Sequence, residues 1–203
     1  MSDSPSLEPR RSSRLRRALP LLLVSLGGVA AHGAAARAQD ILPSAAAMEV
    51  RSRFVTDLDT LQHKFLALAE AIPADKYNWR PGPGVRSIGE AFMHVASEYY
   101  LYTPMAYGAT PSPVIKRAQG EMAKFEAMST KEDVIKHLTE GFAYTRQAVL
   151  GLDQSKITGT QKLFGGDRTI IETSFIMSGD LHEHLGQLIA YARMNGIKPP
   201  WSK

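Results

Sequence analysis

The sequence predicts an all-α fold, a four-helix bundle with a long crossover connection between its second and third helices. Two observations favour this fold. Apolar residues recur at three- and four-residue steps in four long segments, which is the spacing of the buried face of a helix. Turn-forming residues separate these segments, and the stretch between the second and third is far longer than two neighbouring antiparallel helices need.

The first helix is predicted from Ala47 to Ala71, because one apolar stripe runs along this segment. Pro73 ends it, since proline has no amide hydrogen with which to continue the helical hydrogen bonds. A single stripe predicts that one side of the helix faces the core and the other faces water. The stripe comprises Val50, Phe54, Leu58, Leu61, Phe65, Leu68 and Ile72.

The second helix follows a connector rich in proline and glycine, Trp79 to Gly84. Ser87 is placed to cap this helix, and Glu90 three residues later completes a capping box. Pro104 and the stretch from Gly108 to Pro113 end it. Its predicted apolar face comprises Ile88, Ala91, Phe92, Val95 and Tyr99.

The crossover is expected to contain a helix from Val114 to about Ala127. Ser129 or Thr130 then caps the third bundle helix, since both carry a hydroxyl that can accept a hydrogen bond from the first turn. The inner face of this helix comprises Val134, Leu138, Phe142, Thr145, Val149 and Leu152.

The connector before the fourth helix contains a tight turn, Gly165 to Arg168. Leu163-Phe164 and Ile170-Ile171 could flank this turn as a small hairpin. The fourth helix is predicted from about Thr169 to Asn195, and Gly196 follows where a left-handed C-cap is expected.

The first 38 residues have the pattern of a secretory signal peptide. Five arginines between positions 10 and 17 precede a short apolar run from Ala18 to Ala31, and Ala36-Arg37-Ala38 resembles a cleavage site. We therefore expect cleavage between Ala38 and Gln39, and export to the periplasm or the cell exterior. The apolar run is too short, and too rich in glycine and alanine, to favour a membrane-spanning helix, so no stable membrane insertion is expected after cleavage.

The rest of the chain is expected to comprise a disordered lead at residues 39–46 and a bundle domain at residues 47–203. The whole chain has 24 basic and 20 acidic residues, but removal of residues 1–38 leaves 18 of each. A chain this close to neutral lacks the basic surface that nucleic acids require, so no nucleic-acid partner is expected. The absence of cysteine excludes disulfides and a thiol nucleophile of the protein's own.

The candidate chemistry lies in Asp180 and His184, four residues apart in the predicted fourth helix. Side chains at this spacing lie about 40° apart, one turn above the other, so a carboxylate and an imidazole can bind one metal ion. His94, near the inward stripe of the second helix, would supply a third ligand. Two imidazoles and a carboxylate suit Zn, Fe, Ni or Mn and leave positions open for water or substrate. The alternative is that Asp180 caps or pairs locally and that the histidines are partly buried core residues.

Two further residues are candidates for a supporting role. Glu98 lies one turn after His94 and could bind the metal or orient the histidine, or it could be a solvated or paired glutamate. Gln187 lies one turn after His184 and could hydrogen-bond that ligand from outside. His182 is roughly 200° from His184 around the helix, so we expect it on the surface or outside the ligand shell.

Two groups of short motifs carry a family resemblance. The first runs from Trp79 to Gly84 and continues through Ser87-Ile88-Gly89-Glu90 to His94. The second comprises His184-Leu185-Gly186-Gln187, Tyr191-Ala192-Arg193, Asn195-Gly196-Ile197 and Pro199-Pro200. In this order and spacing they resemble the DinB-like superfamily of metal-binding four-helix bundles, from about residue 48 to residue 201.

The resemblance implies a metal site made of one histidine on the second helix and two on the fourth, four residues apart. His94 and His184 occupy two of these positions, and Asp180 stands where the third histidine is usual. The carboxylate either preserves binding with an altered metal preference or marks a branch that has lost the metal. Gly186 is expected to permit close helix packing. The resemblance also makes a homodimer through the bundle faces plausible.

The predicted function is therefore a metal-dependent enzyme or a non-catalytic binder. Relatives include thiol-dependent S-transferases, in which a divalent metal lowers the pKa of an external thiol. The resemblance thus implies such a transferase, or an isomerase that depends on a thiol in the same way, acting on an unidentified small molecule. Metal-assisted hydrolysis is the other candidate reaction, and no specific motif in the sequence supports it. Export favours hydrolysis, because small-thiol cofactors are mainly cytoplasmic. The alternative is a small-ligand-binding or structural bundle with a degenerate metal site.

Overall fold

Four long helices and several short elements make up the described part of the chain. The computed structural model describes residues 44–163 and 165–202. In chain order, the elements are α1 (Ser44–Ala71), a 3-10 turn (Ala74–Lys76), α2 (Ile88–Tyr107), α3 (Glu121–Glu126), α4 (Lys131–Leu150), α5 (Gln154–Ile157), β1 (Thr160–Leu163), β2 (Gly166–Thr169) and α6 (Ile170–Met194).

The long helices α1, α2, α4 and α6 pack as the four-helix bundle that the sequence predicts. Helices α1 and α2 each pack against both α4 and α6. Consecutive helices α1 and α2 therefore lie across the bundle from one another, and the long crossover with α3 leads from α2 to α4. This topology places α2 beside α6, which is the contact on which the candidate metal site depends.

The helix ends follow the capping residues of the sequence. Ser87 Oγ accepts a hydrogen bond from the Glu90 amide, and Glu90 Oε2 accepts one from the Ser87 amide, which confirms the predicted capping box. Thr130 rather than Ser129 caps α4, and Thr169 caps α6. These caps satisfy amides that have no partner within the helix, so each fixes where its helix begins.

Three predicted boundaries differ from the structure. Helix α2 does not end at Pro104 but continues through it to Tyr107, and Gly108 is the left-handed C-cap. Helix α1 begins at Ser44, ahead of the predicted start at Ala47. The helix expected from Val114 to about Ala127 is wrong over its first half, because α3 covers only Glu121–Glu126. Gly120 precedes α3 in the left-handed region, with φ 80°, and a helix cannot continue through that conformation.

The connector between α5 and α6 forms a small antiparallel hairpin. Strands β1 and β2 pair from Thr160 with Thr169 to Leu163 with Gly166. Ile170, which the sequence pattern placed at the flank of the hairpin, is the first residue of α6. Because β1 contacts α2 and β2 contacts α6, the hairpin lies against the two helices that carry the candidate ligands.

Aromatic rings from three helices pack together in the core. Phe65 on α1 contacts Phe142 on α4 with ring centroids 5.8 Å apart, and Phe142 contacts Tyr99 on α2 at 4.6 Å. All three side chains are buried, and each phenylalanine contributes roughly 1.5–3 kcal/mol to stability by leaving water. This packing holds α2 in a fixed position within the bundle.

Two glycines occupy opposite environments. A Cβ on Gly89, at the start of α2, would lie 2.4 Å from the backbone oxygen of Ser129, so this approach of α2 to the start of α4 requires glycine. A Cβ on Gly186 would meet none of the described atoms within 4 Å. The prediction that Gly186 permits close helix packing is therefore wrong, since its α-carbon faces open space.

The predicted signal peptide, residues 1–38, lies outside the described residues, and so do residues 39–43 of the predicted lead. Across the described ranges, no helix combines the length and the apolar character that a membrane crossing requires.

Candidate metal centre

The candidate metal centre lies where α2 packs against α6. His94 and Glu98 are one turn apart on α2, and Asp180 and His184 are one turn apart on α6. A spacing of four residues puts each pair on one face of its helix, and the contact between the helices brings the two faces together.

Two imidazole nitrogens converge on the Glu98 carboxylate. His94 Nε2 lies 3.3 Å from Glu98 Oε1, and His184 Nε2 lies 3.6 Å from Glu98 Oε2. The two rings meet edge to face with their centroids 5.0 Å apart. One potential ligand atom from each of the three residues lies within 4.8 Å of the other two, so this group of donors can hold a metal ion.

Asp180 lies at the outer side of this group. Its Oδ1 is 3.6 Å from His184 Nε2, and 39% of its side chain is exposed. Glu98, by contrast, is 7% exposed. The two carboxylates therefore differ in access, because Glu98 is enclosed by the bundle and Asp180 reaches solvent.

Glu98 is a buried carboxyl group with incomplete hydrogen bonding. Its Oε2 accepts no hydrogen bond within the described part of the chain. Burial, and then the charge of Asp180, raise the pKa of Glu98 far above the usual range of a carboxyl group. A buried carboxylate is costly unless it is paired, so a cation beside Oε2 would remove this cost. The centre thus fits a positively charged ligand.

Two side chains fix the outer nitrogen of His94. Its Nδ1–H donates to Glu126 Oε1 at 2.8 Å, and Arg86 donates to the two oxygens of Glu126 at 2.8 and 3.3 Å. Burial favours the neutral form of Glu126, but the hydrogen bonds from His94 and Arg86 outweigh it and lower the pKa of this carboxyl group. Glu126 is therefore an ionised acceptor, and Nε2 of His94 keeps its lone pair for the centre.

His184 has a matching arrangement on α6. Its Nδ1 lies 3.4 Å from Gln187 Oε1, and an amide oxygen only accepts, so Nδ1 carries the proton. Gln187 Nε2 donates to Tyr191 Oη at 2.9 Å, which fixes the orientation of the amide. The lone pair of His184 Nε2 is therefore directed to the side of Glu98 and Asp180.

Two separations between donor atoms of the centre match those around a small divalent ion. Zinc binds histidine nitrogen and carboxylate oxygen at about 2.0–2.2 Å, so two ligands of one tetrahedral ion lie about 3.4 Å apart. The two separations between imidazole nitrogen and Glu98 oxygen, 3.3 and 3.6 Å, are close to this value. Histidine with carboxylate also suits iron, nickel and manganese. The donor set therefore fits a divalent metal without selecting one element.

A small cavity of about 190 Å³ opens beside the centre. Glu98 and Asp180 form its polar wall, and Tyr102, Ile176 and Met177 form the rest of its lining. A molecule in this cavity would contact both carboxylates. The cavity therefore gives a small substrate access to the centre from the side on which Asp180 is exposed.

Comparison with known proteins identifies the family. Residues 57–188 match the family model of the DinB superfamily. This chain belongs to the DinB superfamily. A crystal structure of a DinB-like protein from Bacillus subtilis is similar in fold, with a TM-score of 0.56 and 18% identity over 71% of this chain and 92% of that chain. No curated protein matches the sequence significantly.

This DinB bundle brings the sequence-predicted residues together. His184 lies beside Asp180, and its ring contacts that of His94. Glu98 lies between the two histidines, a position compatible with either role predicted for it, as a metal ligand or as a partner of His94. Gln187 contacts the outer nitrogen of His184. That these residues bind a metal stays a prediction.

The sequence pattern missed Glu126 and Arg86, which hold His94 in the DinB bundle. Glu126 is the last residue of α3, in the crossover, and Arg86 lies in the connector just before the α2 cap. The spacing of apolar residues does not predict where the crossover runs relative to the bundle. The sequence spacing gave no sign of these two residues, but the chemistry of a metal-binding histidine did. A metal-binding histidine usually donates its other N–H to a carboxylate or carbonyl, so an acidic residue outside the bundle helices was a reasonable partner to seek.

Proposed function

We propose that this DinB bundle binds one divalent metal ion and uses it on a small-molecule substrate. The observation that carries the proposal is the convergence of two imidazole lone pairs on a buried carboxylate, with each outer nitrogen already hydrogen-bonded. Such outer contacts are usual for metal-binding histidines, because they fix the tautomer and the orientation of the ring. The expected metals are zinc, nickel, manganese or iron.

The residues of the centre have distinct roles in this proposal. His94 and His184 bind the metal through Nε2, and Glu98 supplies the buried negative charge that favours a cation. Asp180 completes the ligand set at the open side, where it is also placed to accept a proton from a molecule in the cavity. A bound divalent metal supplies a Lewis acid that lowers the pKa of water or of a thiol.

Hydrolysis is the reaction that we favour for this site. The cavity is smaller than pockets that bind drug-sized ligands, so the substrate is expected to be small. The N-terminal pattern supports export, and small-thiol cofactors are mainly cytoplasmic, so water is a more accessible nucleophile than a thiol in the expected compartment.

A non-catalytic bundle with a degenerate metal site is the competing function. The residue that favours it is Asp180, which stands where the family usually has a histidine and is partly exposed. In that case the bundle would retain its fold and its hydrogen bonds around His94 without binding a metal. Metal content therefore separates the two functions.

Elemental analysis of the mature protein, purified after export and without a His tag, is the deciding experiment. The wild type is compared with His94→Ala and with His63→Ala, which removes an exposed imidazole from α1. We expect near-stoichiometric metal in the wild type and in His63→Ala, and its loss in His94→Ala. A screen of small esters and thiol acceptors would then follow.

An absence of metal from the folded wild type, with none taken up on titration, would contradict the proposal. The same holds if His94→Ala retains the metal, because the ion would then be bound elsewhere. Either result would favour the non-catalytic bundle.

A further inference from the structure

A second site lies on the opposite flank of α6, in a groove between α1 and α6. Its volume is about 420 Å³, which is within the range of small-molecule pockets. From α1 it is lined by Val50, Phe54 and Asp57, and from α6 by Phe175 and His182 among others. Val50, Phe54 and Asp57 follow one another at steps of one helical turn, and Ser178 lies one turn from both Phe175 and His182, so each helix presents one face to the groove.

The groove is separate from the metal centre. His182 belongs to the groove and His184 to the centre, and two residues along a helix place side chains roughly 200° apart. The groove is therefore a site that metal binding does not explain.

Apolar surface forms one part of the groove. Phe54 is buried at its floor, whereas Phe175 is 68% exposed at its edge. An aromatic side chain this exposed leaves a large apolar surface in water, which a ligand with an apolar body would cover.

The carboxylate of Asp57, which is hydrogen-bonded from α6, forms the polar part of the groove. Ser178 Oγ donates to Asp57 Oδ2 at 2.6 Å, and His182 Nε2 lies 3.1 and 3.2 Å from the two oxygens of Asp57. Ser178 and His182 thus hold the carboxylate in position from α6. In the described ranges, no lysine or arginine pairs with Asp57.

The remaining charges of the groove cancel. Arg53 Nε lies 2.7 Å from Glu49 Oε1, one turn away on α1, so this pair contributes little net charge. Asp57 is therefore the carboxylate of the groove with which no lysine or arginine pairs within the described ranges, and it lines the groove together with the exposed ring of Phe175.

We infer that this groove binds a hydrophobic organic cation, an ammonium group carried on an aromatic or branched aliphatic body. The ammonium group pairs with Asp57, for which Ser178 and His182 have already set the orientation. The apolar body lies between Phe54 and Phe175, and the face of Phe175 also attracts the positive charge. The inference is independent of the metal site.

The test compares three small probes that share one apolar body, namely benzylammonium, benzyl alcohol and benzoate. Their binding to the purified mature protein is followed by amide chemical shifts in the presence of EDTA, so that the metal centre plays no part. We expect benzylammonium to bind at least about tenfold more tightly than the other two, because a charge-assisted contact distinguishes them. The shifted amides should include those of Asp57, Phe175 and Ser178.

Substitutions in the groove test whether benzylammonium binds there. Asp57→Asn should weaken benzylammonium binding about tenfold or more, and Phe175→Ala about two- to fivefold. The matched control is Asp59→Asn, which removes a carboxylate from the same helix at a position paired with Arg146 outside the groove, and it should change nothing.

Equal affinity for the three probes, no binding by any of them, or shifts confined to other residues would overturn the inference, and these outcomes need only the wild type. An affinity unchanged by Asp57→Asn would also overturn it. Sedimentation of Phe175→Ala adds one further check: a dimer that dissociates in this variant, without ammonium binding in the wild type, would make the groove a subunit interface instead.

Discussion

His94 Nδ1 and Glu126 Oε1 lie 2.8 Å apart, so a residue of the crossover holds a histidine of the bundle. Arg86 binds the same carboxylate from the connector before α2. The orientation of His94 thus depends on two segments that do not belong to the bundle core. The long crossover that distinguishes this topology therefore contributes directly to the candidate metal centre.

Replacing Glu126 with glutamine should weaken metal binding by about 10–100-fold while the fold is retained. The amide keeps a hydrogen-bonding group near Nδ1 but removes the charge that makes the imidazole a stronger ligand. The measurement is a zinc competition titration against a chelator, with unfolding followed in parallel. Glu121→Gln is the control, because Glu121 lies on the same short helix and pairs with the exposed Lys124 rather than with His94. Equal zinc affinity in Glu126→Gln and wild type would refute the role of this contact.

Replacing Glu98 with glutamine should stabilise the metal-free protein at alkaline pH. Burial, and then Asp180, raise the pKa of Glu98 in the folded state, so the folded chain keeps a proton that the unfolded chain releases above about pH 4. The free energy of unfolding should therefore fall as pH rises, by up to about 1.4 kcal/mol per pH unit from this group. Glu98→Gln removes this titration and should flatten the profile.

Chemical denaturation in EDTA, between about pH 5 and about pH 8, measures this effect. Glu183→Gln, an exposed carboxyl group on α6, should leave the slope of the wild type unchanged. If Glu98→Gln and the wild type lose stability in parallel as pH rises, Glu98 is not the group responsible. Saturating metal should also reduce the difference between the two proteins, because the ion stabilises the ionised carboxylate.

Much of the fold was predictable because it depends on local signals. The apolar stripe of α1, the capping box of Ser87 and Glu90, and the start of α6 at about Thr169 each depend on residues close together in the chain, and each was predicted from a local pattern. The crossover was less predictable. A helix was predicted from Val114 to about Ala127, whereas Gly120 adopts a left-handed conformation and α3 starts only after it.

The candidate site, like the fold, has a part that was predictable from local sequence and a part that was not. Asp180 and His184 share a face because they are four residues apart on one helix, which the sequence reveals directly. The central position of Glu98 depends on how deeply α2 packs against α6, and the contact of Glu126 with His94 depends on the path of the crossover. These are tertiary relationships, and no periodicity within a single segment encodes them.

Changing Asp180 should affect metal binding less than changing His184. Asp180 is partly exposed and approaches a single imidazole nitrogen, whereas His184 Nε2 faces both carboxylates. We expect Asp180→Ala to weaken zinc binding, His184→Ala to abolish it, and Asp180→His to restore or exceed wild-type affinity, since an imidazole is a good ligand for zinc. Metal affinity and absorption of the cobalt-substituted proteins measure these effects. An Asp180→His variant that binds no better than Asp180→Ala would show that this position does not reach the metal.

Two glycine substitutions should change stability in opposite directions. Gly89→Ala places a methyl group 2.4 Å from the backbone oxygen of Ser129, which cannot move without displacing the start of α4, so a loss of roughly 1–3 kcal/mol is expected. Gly186→Ala adds a methyl group in open space on α6 and should stabilise the protein by roughly 0.5–1 kcal/mol, because alanine loses less conformational freedom than glycine in a helix. Urea denaturation of both variants and the wild type provides the comparison. Stabilisation by Gly89→Ala would show that α2 and α4 do not approach each other as closely as the structure indicates, and destabilisation by Gly186→Ala would show that α6 has a packing partner at that position.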